Sequence, residues 1–550
     1  MLVVGVFLSC ILPLAAQNDN TYLQHAIRFA VSSPLRDLTK LPQPPQYGFR
    51  EANPVRRIPK RSNGQVVDTV EQSSVVGSGS NYTIGLSFLG LGNGFPGYSV
   101  PDAPPDPNIA VGDTQVAQWV NVSYVVFDKT TGKALTGALQ GNTLWSSLGG
   151  MCAANNDGDP IVQWDVVSHR WLLSQNVFTG SYAVCVAVST SNDATGTYYL
   201  YQFPVVNRGF PDYPKWGIWT NDYGQTWNNF GPGGSGFQGP VFCIYNRAKL
   251  LAGDGTAEQI CHQYTAGEDS LLPADRDSTV PPPAGEDQFA IGSVDDVDNS
   301  HLSLYSAHIN NPNDWSQGAS FTGDNNSQLI AVTPYAGICN GQFGGSCVPQ
   351  KGVSDLLDSL GDRLMYRFAY WEDPPLANVL ATPPKPVPSQ HWLVNHSVEG
   401  SGGNGAVRWY EFTAPIKNVP VTSLTVFQQG TYAPDQQWRW MGSVARDKLG
   451  DILVGYSESS STQYPSIYVA GRQVNDPVGL GNLQAEVLVV AGSGSQTGTS
   501  SRWGDYTSMR IDLNDGMNGC TFWYTNEYYM TTAGFDWSTQ IASAKFSNCH

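Results

Sequence analysis

The chain has 550 residues and a formal charge of −17, and it is 41% hydrophobic but only 14% charged, with 58 glycines and 36 prolines. That is too apolar for a disordered polymer and too rich in turn formers for a helical bundle. So acidic a surface repels a phosphate backbone and excludes nucleic acid as the natural partner, while the length suits one large closed β architecture.

Leu2 to Ala16 are apolar and end in Pro13-Leu14-Ala15-Ala16 ahead of Gln17, the pattern of a signal peptide over residues 1–16. The run is short for a bilayer span and no later segment reaches that length, so the expectation is a secreted or otherwise extracytoplasmic protein without a transmembrane segment. Residues 17–95 form a basic N-terminal extension or pro-segment, with eight Lys/Arg against three acids between Gln17 and Arg61. Two readings stay open for it: docking against the acidic body, or removal by cleavage near Arg56-Arg57 or Lys60-Arg61.

From residue 96 to 550 the sequence repeats one plan, a polar opening followed by short β-rich runs and turns. The openings fall near residues 106, 159, 212, 287, 363, 439 and 502, with gaps that start near 50 residues and lengthen to about 75, room for four-stranded blades and their loops. One four-stranded sheet cannot cover both its faces, whereas blades set radially cover each other. The expected fold is therefore all-β, a seven-bladed β-propeller, with a six- or eight-bladed ring or paired β-sandwiches as alternatives. Gly112, Gly217, Gly442 and Gly504 follow the openings, where strands crowd toward the axis and a Cβ has little room.

Nine cysteines are present, and removal of Cys10 with the signal leaves an even eight. In an exported chain these read as disulfides, and economy of loop closure favours the sequential pairs 152–185, 243–261, 339–347 and 520–549. Asn81, Asn121, Asn325 and Asn395 begin glycosylation triplets.

Candidate chemistry gathers at the blade openings. Arg408-Trp409, Arg439-Trp440 and Arg502-Trp503 can be read as guanidinium groups that clamp a carboxylate, with Trp440 and Trp503 offering flat faces to a sugar. They can equally be read as blade-to-blade ion pairs and hydrophobic wedges. Asp159, Asp212, Asp505 and Glu527 offer carboxylates, and two of these about 5–9.5 Å apart across a cleft would serve glycoside hydrolysis. Asn155-Asn156-Asp157-Gly158-Asp159 holds several oxygens in one short loop, so Asp157 and Asp159 form a candidate calcium site, although no cofactor is required. No Gly-x-Ser-x-Gly, His-Glu-x-x-His or phosphate-binding loop occurs, which disfavours serine hydrolase, zinc protease and nucleotide chemistry.

Thr220-Asn221-Asp222-Tyr223-Gly224-Gln225-Thr226-Trp227 resembles the Asp-box, Ser/Thr-x-Asp-x-Gly-x-x-Trp, of sialidase-like propellers, where it forms a turn between outer strands. The resemblance implies a carbohydrate-active propeller and a carbohydrate or glycoconjugate partner. It further implies an arginine triad for the substrate carboxylate (Arg408, Arg439 and Arg502), a Tyr/Glu nucleophile pair (Tyr506 or Tyr528 with Glu527), and an acid (Asp159 or Asp212). The expected function is a secreted sialidase-like glycoside hydrolase, or a lyase, acting on an acidic saccharide. A non-catalytic carbohydrate-binding or adhesion propeller is the alternative.

Overall fold

The computed structural model describes residues 20–39, 50–51, 58, 66–75, 79–294, 298–342, 344–373, 390–414, 421–477, 481–498 and 501–550. The signal segment, Cys10 and the dibasic pairs lie outside these residues. Antiparallel sheets follow one another along the chain, and the first strand of each is innermost: Asn108–Val111, Ile161–Asp165, Phe210–Ile218, Leu272–Arg276, Leu364–Glu372, Trp438–Arg446 and Ser508–Asp512. Each innermost strand neighbours the next, and the seventh returns to the first, so the ring closes with seven blades. Blades 4 and 5 are joined directly by parallel pairing of Ala274–Arg276 with Phe368–Tyr370.

Six openings fall within a few residues of the positions expected, and the fourth does not. Its innermost strand is Leu272–Arg276, and Gln288–Ser293, at the expected opening, is the second strand. The sequence Leu-Pro-Ala-Asp-Arg hides this strand because its charges are consumed at the axis, where Asp275 meets Arg367 and Arg510.

The ring is closed by chain ends. Tyr82–Leu89, upstream of the expected start at residue 96, is the outer strand of blade 7 and pairs with Ser538–Phe546. Thr21–His25 and Arg28–Val31 add fifth strands to blades 3 and 2, and Glu71–Gln72 pairs in parallel with the outer strand of blade 5. The part of the leader described here is thus stitched around the rim by backbone hydrogen bonds. All four sequential disulfides form.

Blade faces are packed by fully buried aromatics, among them Trp119, Trp171, Trp216, Trp409, Trp440 and Trp503. Glycine is needed where strands converge: a Cβ on Gly217 would stand 2.2 Å from the Ala274 carbonyl oxygen in the next blade, and one on Gly112 would stand 2.4 Å from the Trp171 ring. Of the glycosylation triplets, Asn121 and Asn395 are fully buried. The Asp-box-like segment is corrected by its position. Its turn joins the innermost strand of blade 3 to the second strand, Asp222–Gly231, and so is not a turn between outer strands.

Candidate functional site at the mouth of the channel

At the end of the ring where the innermost strands begin, short segments from five blades place ionisable side chains around the axis. Asp106-Pro107 precedes the first innermost strand, and Asp159-Pro160 precedes the second. Tyr213-Pro214-Lys215 lies within the third, Asp362-Arg363 precedes the fifth, and Arg502 to Tyr506 leads into the seventh. Asp106, Asp159 and Tyr213 share a left-handed backbone, at φ 45°, 50° and 56°. Such a conformation is costly for non-glycine residues and persists only where the surroundings hold it. Here the hold comes from hydrogen bonds between successive blades and within blade 1. Oδ1 of Asp106 accepts the Asp505 backbone N–H at 2.7 Å, Oδ2 accepts from Asn121 at 2.9 Å, and Oδ2 of Asp159 accepts the Tyr213 backbone N–H at 3.1 Å.

The three aspartates Asp106, Asp159 and Asp505 bring carboxylate oxygens within 4.8 Å of one another, all buried. Arg502 lies 2.7 Å from Asp505, and Arg363 is paired with Asp362 at 2.7 Å and lies over the Tyr213 ring at 4.6 Å. Lys215 Nζ sits 3.3 Å from the centre of the Tyr213 ring and 3.9 Å from that of Tyr506, and donates to the Pro214 carbonyl at 3.0 Å. Tyr506 donates its hydroxyl to the Pro160 carbonyl at 3.0 Å. Glu527, on the second strand of blade 7, completes the group beside Gly504 and Asp106.

Burial sets the electrostatics. It pushes Asp106 well above the usual carboxylate range, with Asp505 and Asp159 adding to the effect and Arg502 opposing it. Asp505 is equally buried, but Arg502, Arg363 and Lys215 outweigh the desolvation and hold it low. Burial takes Lys215 down to about 7, although the three aspartates favour its charge. Glu527 is raised by burial and by Asp106. Neighbouring carboxylates with opposite shifts are the pattern that acid–base sites use.

Of the residues singled out in the sequence, Asp159, Asp505, Tyr506, Glu527 and Arg502 come together here. The others do not. Arg408 lies on the third strand of blade 5, bonded to Asp68 at 3.1 Å and to Thr431 and the Thr333 carbonyl at 3.0 Å. Arg439 is enclosed by Asp435 at 2.8 Å, Glu458 at 2.9 Å and Glu486 at 2.7 Å. The arginine triad therefore does not converge; two of its members are in ion pairs, but not the blade-to-blade pairs expected, since Arg408 meets Asp68 of the N-terminal segment and Arg439 meets acids around its own blade. Trp440 and Trp503 are fully buried, their rings 5.7 Å apart, and act as wedges with no face open to a sugar. Tyr528, next to Glu527 along the strand, faces the opposite side and belongs to the apolar packing between blades 6 and 7. Asp212 sits cross-strand from Asn228, outside the aspartate trio. Asp157 caps the Phe178 N–H at 2.8 Å, and Asn155 and Asn156 bond the Met151 and Val122 carbonyls, so the 155–159 loop does not gather its oxygens around one point.

Lys215, Arg363 and Tyr213 were not among the expected site residues. The available signal was the recurrence of a residue followed by proline at three openings, Asp106-Pro107, Asp159-Pro160 and Tyr213-Pro214, with a lysine inside an otherwise apolar run.

The mouth is covered. Between blades 4 and 5 the chain makes an excursion carrying the Cys339–Cys347 disulfide. Gln350 of this excursion exchanges two hydrogen bonds with the backbone of Gln496, at 2.9 and 2.8 Å, and Asp358 N–H donates to the Ser501 carbonyl at 2.8 Å. At the opposite ends of the innermost strands a cavity of about 540 Å³ opens, lined by His169, Trp371, Glu372, Lys448, Asn514 and Asn518 among others.

No family model and no curated protein matches the chain. Among solved structures, a protein of unknown function from Dyadobacter fermentans DSM 18053 is 8% identical, with TM-score 0.34, covering 80% of this chain and 94% of its own. The N10 neuraminidase-like protein of A/little yellow-shouldered bat/Guatemala/060/2010 is 8% identical with TM-score 0.31, covering 68% and 95%, and polysaccharide lyase Uly1 is 10% identical with TM-score 0.33, covering 96% and 99%. At these scores none of the three says what this chain does, and the propeller rests on its own sheet order.

Proposed function

We propose that the protein is a secreted glycan-active propeller, a glycoside hydrolase or lyase that acts on an acidic saccharide at the covered mouth. The observation that carries this reading is the convergence of Lys215, Arg363, Arg502, Glu527 and Tyr506 with the three aspartates, from segments far apart in sequence. In this reading the guanidinium groups of Arg363 and Arg502 hold the saccharide carboxylate, replacing the Arg408/Arg439/Arg502 set. Lys215, placed between two tyrosine rings with its ammonium destabilised by burial, moves the proton near neutral pH. Access requires the 338–362 excursion to lift from the Gln496 segment.

The test is a panel of sialylated and uronate-containing saccharides with wild type and the variants Lys215→Met and Arg363→Met, read as released sugar or unsaturated product. Turnover by wild type that falls at least about 100-fold in both folded variants supports the proposal. Absence of turnover on every saccharide, with binding retained, sinks it.

A carbohydrate-binding propeller without catalysis is the second reading. Full burial of Asp106, Asp159, Lys215 and Arg363 favours it, because a catalytic group has to meet its substrate.

A further inference from the structure

Three carboxylates that share one small volume repel each other, and taking such charges out of water adds a desolvation cost unless a cation accompanies them. At the channel mouth six carboxylates, Asp106, Asp159, Asp358, Asp362, Asp505 and Glu527, face three cationic side chains, Lys215, Arg363 and Arg502. The cations have partners of their own beside the trio: Arg363 is paired with Asp362, Arg502 with Asp505, and Lys215, in charge contact with the three aspartates, sits between two aromatic rings.

A second observation is independent of the trio. Glu527 is 1% exposed, and among the described residues its Oε2 has no hydrogen-bond partner. It is directed toward the trio: a methyl group on Gly504 would stand 3.1 Å from Glu527 Oε1 and 3.5 Å from Asp106 Oδ1, so both carboxylates face the same glycine. A buried carboxylate oxygen left without a donor is costly and marks a missing partner.

We propose that Asp106, Asp159 and Asp505, with Glu527 beside them, bind one divalent cation of the calcium class. All donors are carboxylate oxygens, which favours a hard ion over zinc or copper, and no sulfur or imidazole lies in the group. Calcium accepts irregular shells of six to eight oxygens and so suits carboxylates fixed by three separate strand starts, whereas magnesium demands a near-ideal octahedron. The site ties blades 1, 2 and 7 together at the point where the ring closes. It uses carboxylates of the same mouth as the catalytic reading above, but does not depend on that reading and holds whether or not the protein turns over a saccharide. It also differs from the 155–159 loop, since only Asp159 is common to both.

The experiment uses the full chain, freed of metal by a chelator and titrated with Ca²⁺ by calorimetry, and with Tb³⁺ by luminescence sensitised through the neighbouring Tyr213, Tyr506 and Trp503. One saturable site per chain is expected, weakened at least about tenfold in Glu527→Gln and more in Asp159→Asn, with Ca²⁺ raising the melting temperature of wild type but not of Asp159→Asn. Absence of saturable binding by wild type overturns the proposal, as does binding that persists unchanged in both variants, which would place the ion elsewhere. Should neither variant fold, elemental analysis of dialysed wild type decides: one calcium per chain, released by chelator with loss of thermal stability, supports the site, and a metal-free protein indifferent to added Ca²⁺ overturns it.

Discussion

Asp106 and Asp505 stand 399 positions apart in the chain, yet the backbone N–H of Asp505 donates to Oδ1 of Asp106 at 2.7 Å. The same Asp106 carboxylate accepts from Asn121 on its other oxygen. One side chain thus fixes the entry to blade 7 against blade 1, where the two ends of the propeller meet. Asp106→Ala leaves two buried donors without acceptors, each worth about 1–3 kcal/mol, and should lower the midpoint of chemical denaturation accordingly. An unchanged midpoint would mean that the latch contributes nothing.

Lys215 gives stability a defined pH dependence. Its value falls from 10.5 to about 7 in the folded protein, so between those limits the unfolded chain binds the extra proton and folding gains stability as pH rises. Below about 7 the folded protein carries the full desolvation penalty, and above 10.5 it carries none. Replacing Lys215 by Met should flatten the curve between pH 7 and 10.5 relative to wild type. Parallel curves for the two proteins in urea titrations across this range would refute the assignment.

Arg439 is buried against Asp435, Glu458 and Glu486. Arg439→Met strands the buried Glu458 beside the partly exposed Glu486 and should cost about 3–5 kcal/mol, more at pH 8 than at pH 5, because protonation relieves the uncompensated charge at low pH. Thermal denaturation at the two pH values measures this. Saccharide affinity of the folded fraction should not change, since Arg439 lies outside the mouth.

Gly217 has no room for a side chain, with the Ala274 carbonyl oxygen 2.2 Å from where a Cβ would be. Gly217→Ala should push blades 3 and 4 apart and cost about 1–3 kcal/mol or more, visible as reduced soluble yield and a lowered melting temperature. A variant as stable as wild type would show that the innermost strands yield easily.

Deleting the chain through Gly90 removes the outer strand of blade 7 and exposes the edge of Ser538–Phe546. Such an open edge invites association. The truncated protein should aggregate, whereas deletion through residue 39 removes the fifth strands of blades 2 and 3 and the short helix Leu35–Leu38 with its two buried leucines, and should leave a folded, less stable ring. Size-exclusion chromatography and circular dichroism distinguish the two.

The blade count was legible because each blade repeats the same short-strand plan, and six of seven openings announce themselves by polar residues before an apolar run. The fourth was hidden by Pro273, Asp275 and Arg276, whose strand is stabilised by partners on blades 5 and 7 and by no local pattern. Disulfide pairing was legible because each pair closes a short loop, within a blade or, for Cys339–Cys347, within the excursion between blades 4 and 5. The arginine triad failed because Arg-Trp recurs at positions alike in sequence but unlike in radius. Arg408 lies on a third strand, Arg439 turns its guanidinium into its own blade's acids, and only Arg502 reaches the axis.

By itself the sequence determined an acidic, disulfide-bonded, repeated-strand chain and where along it polar residues cluster, because composition and strand periodicity are local properties. Only the tertiary structure decided which of those residues meet. Closing the ring joins Asp106 to Asp505 and sets Lys215 between tyrosines from blades 3 and 7, and the excursion between blades 4 and 5 covers them. Radial position and burial, which fix the charge and reach of each group, exist only once seven separate segments share one axis.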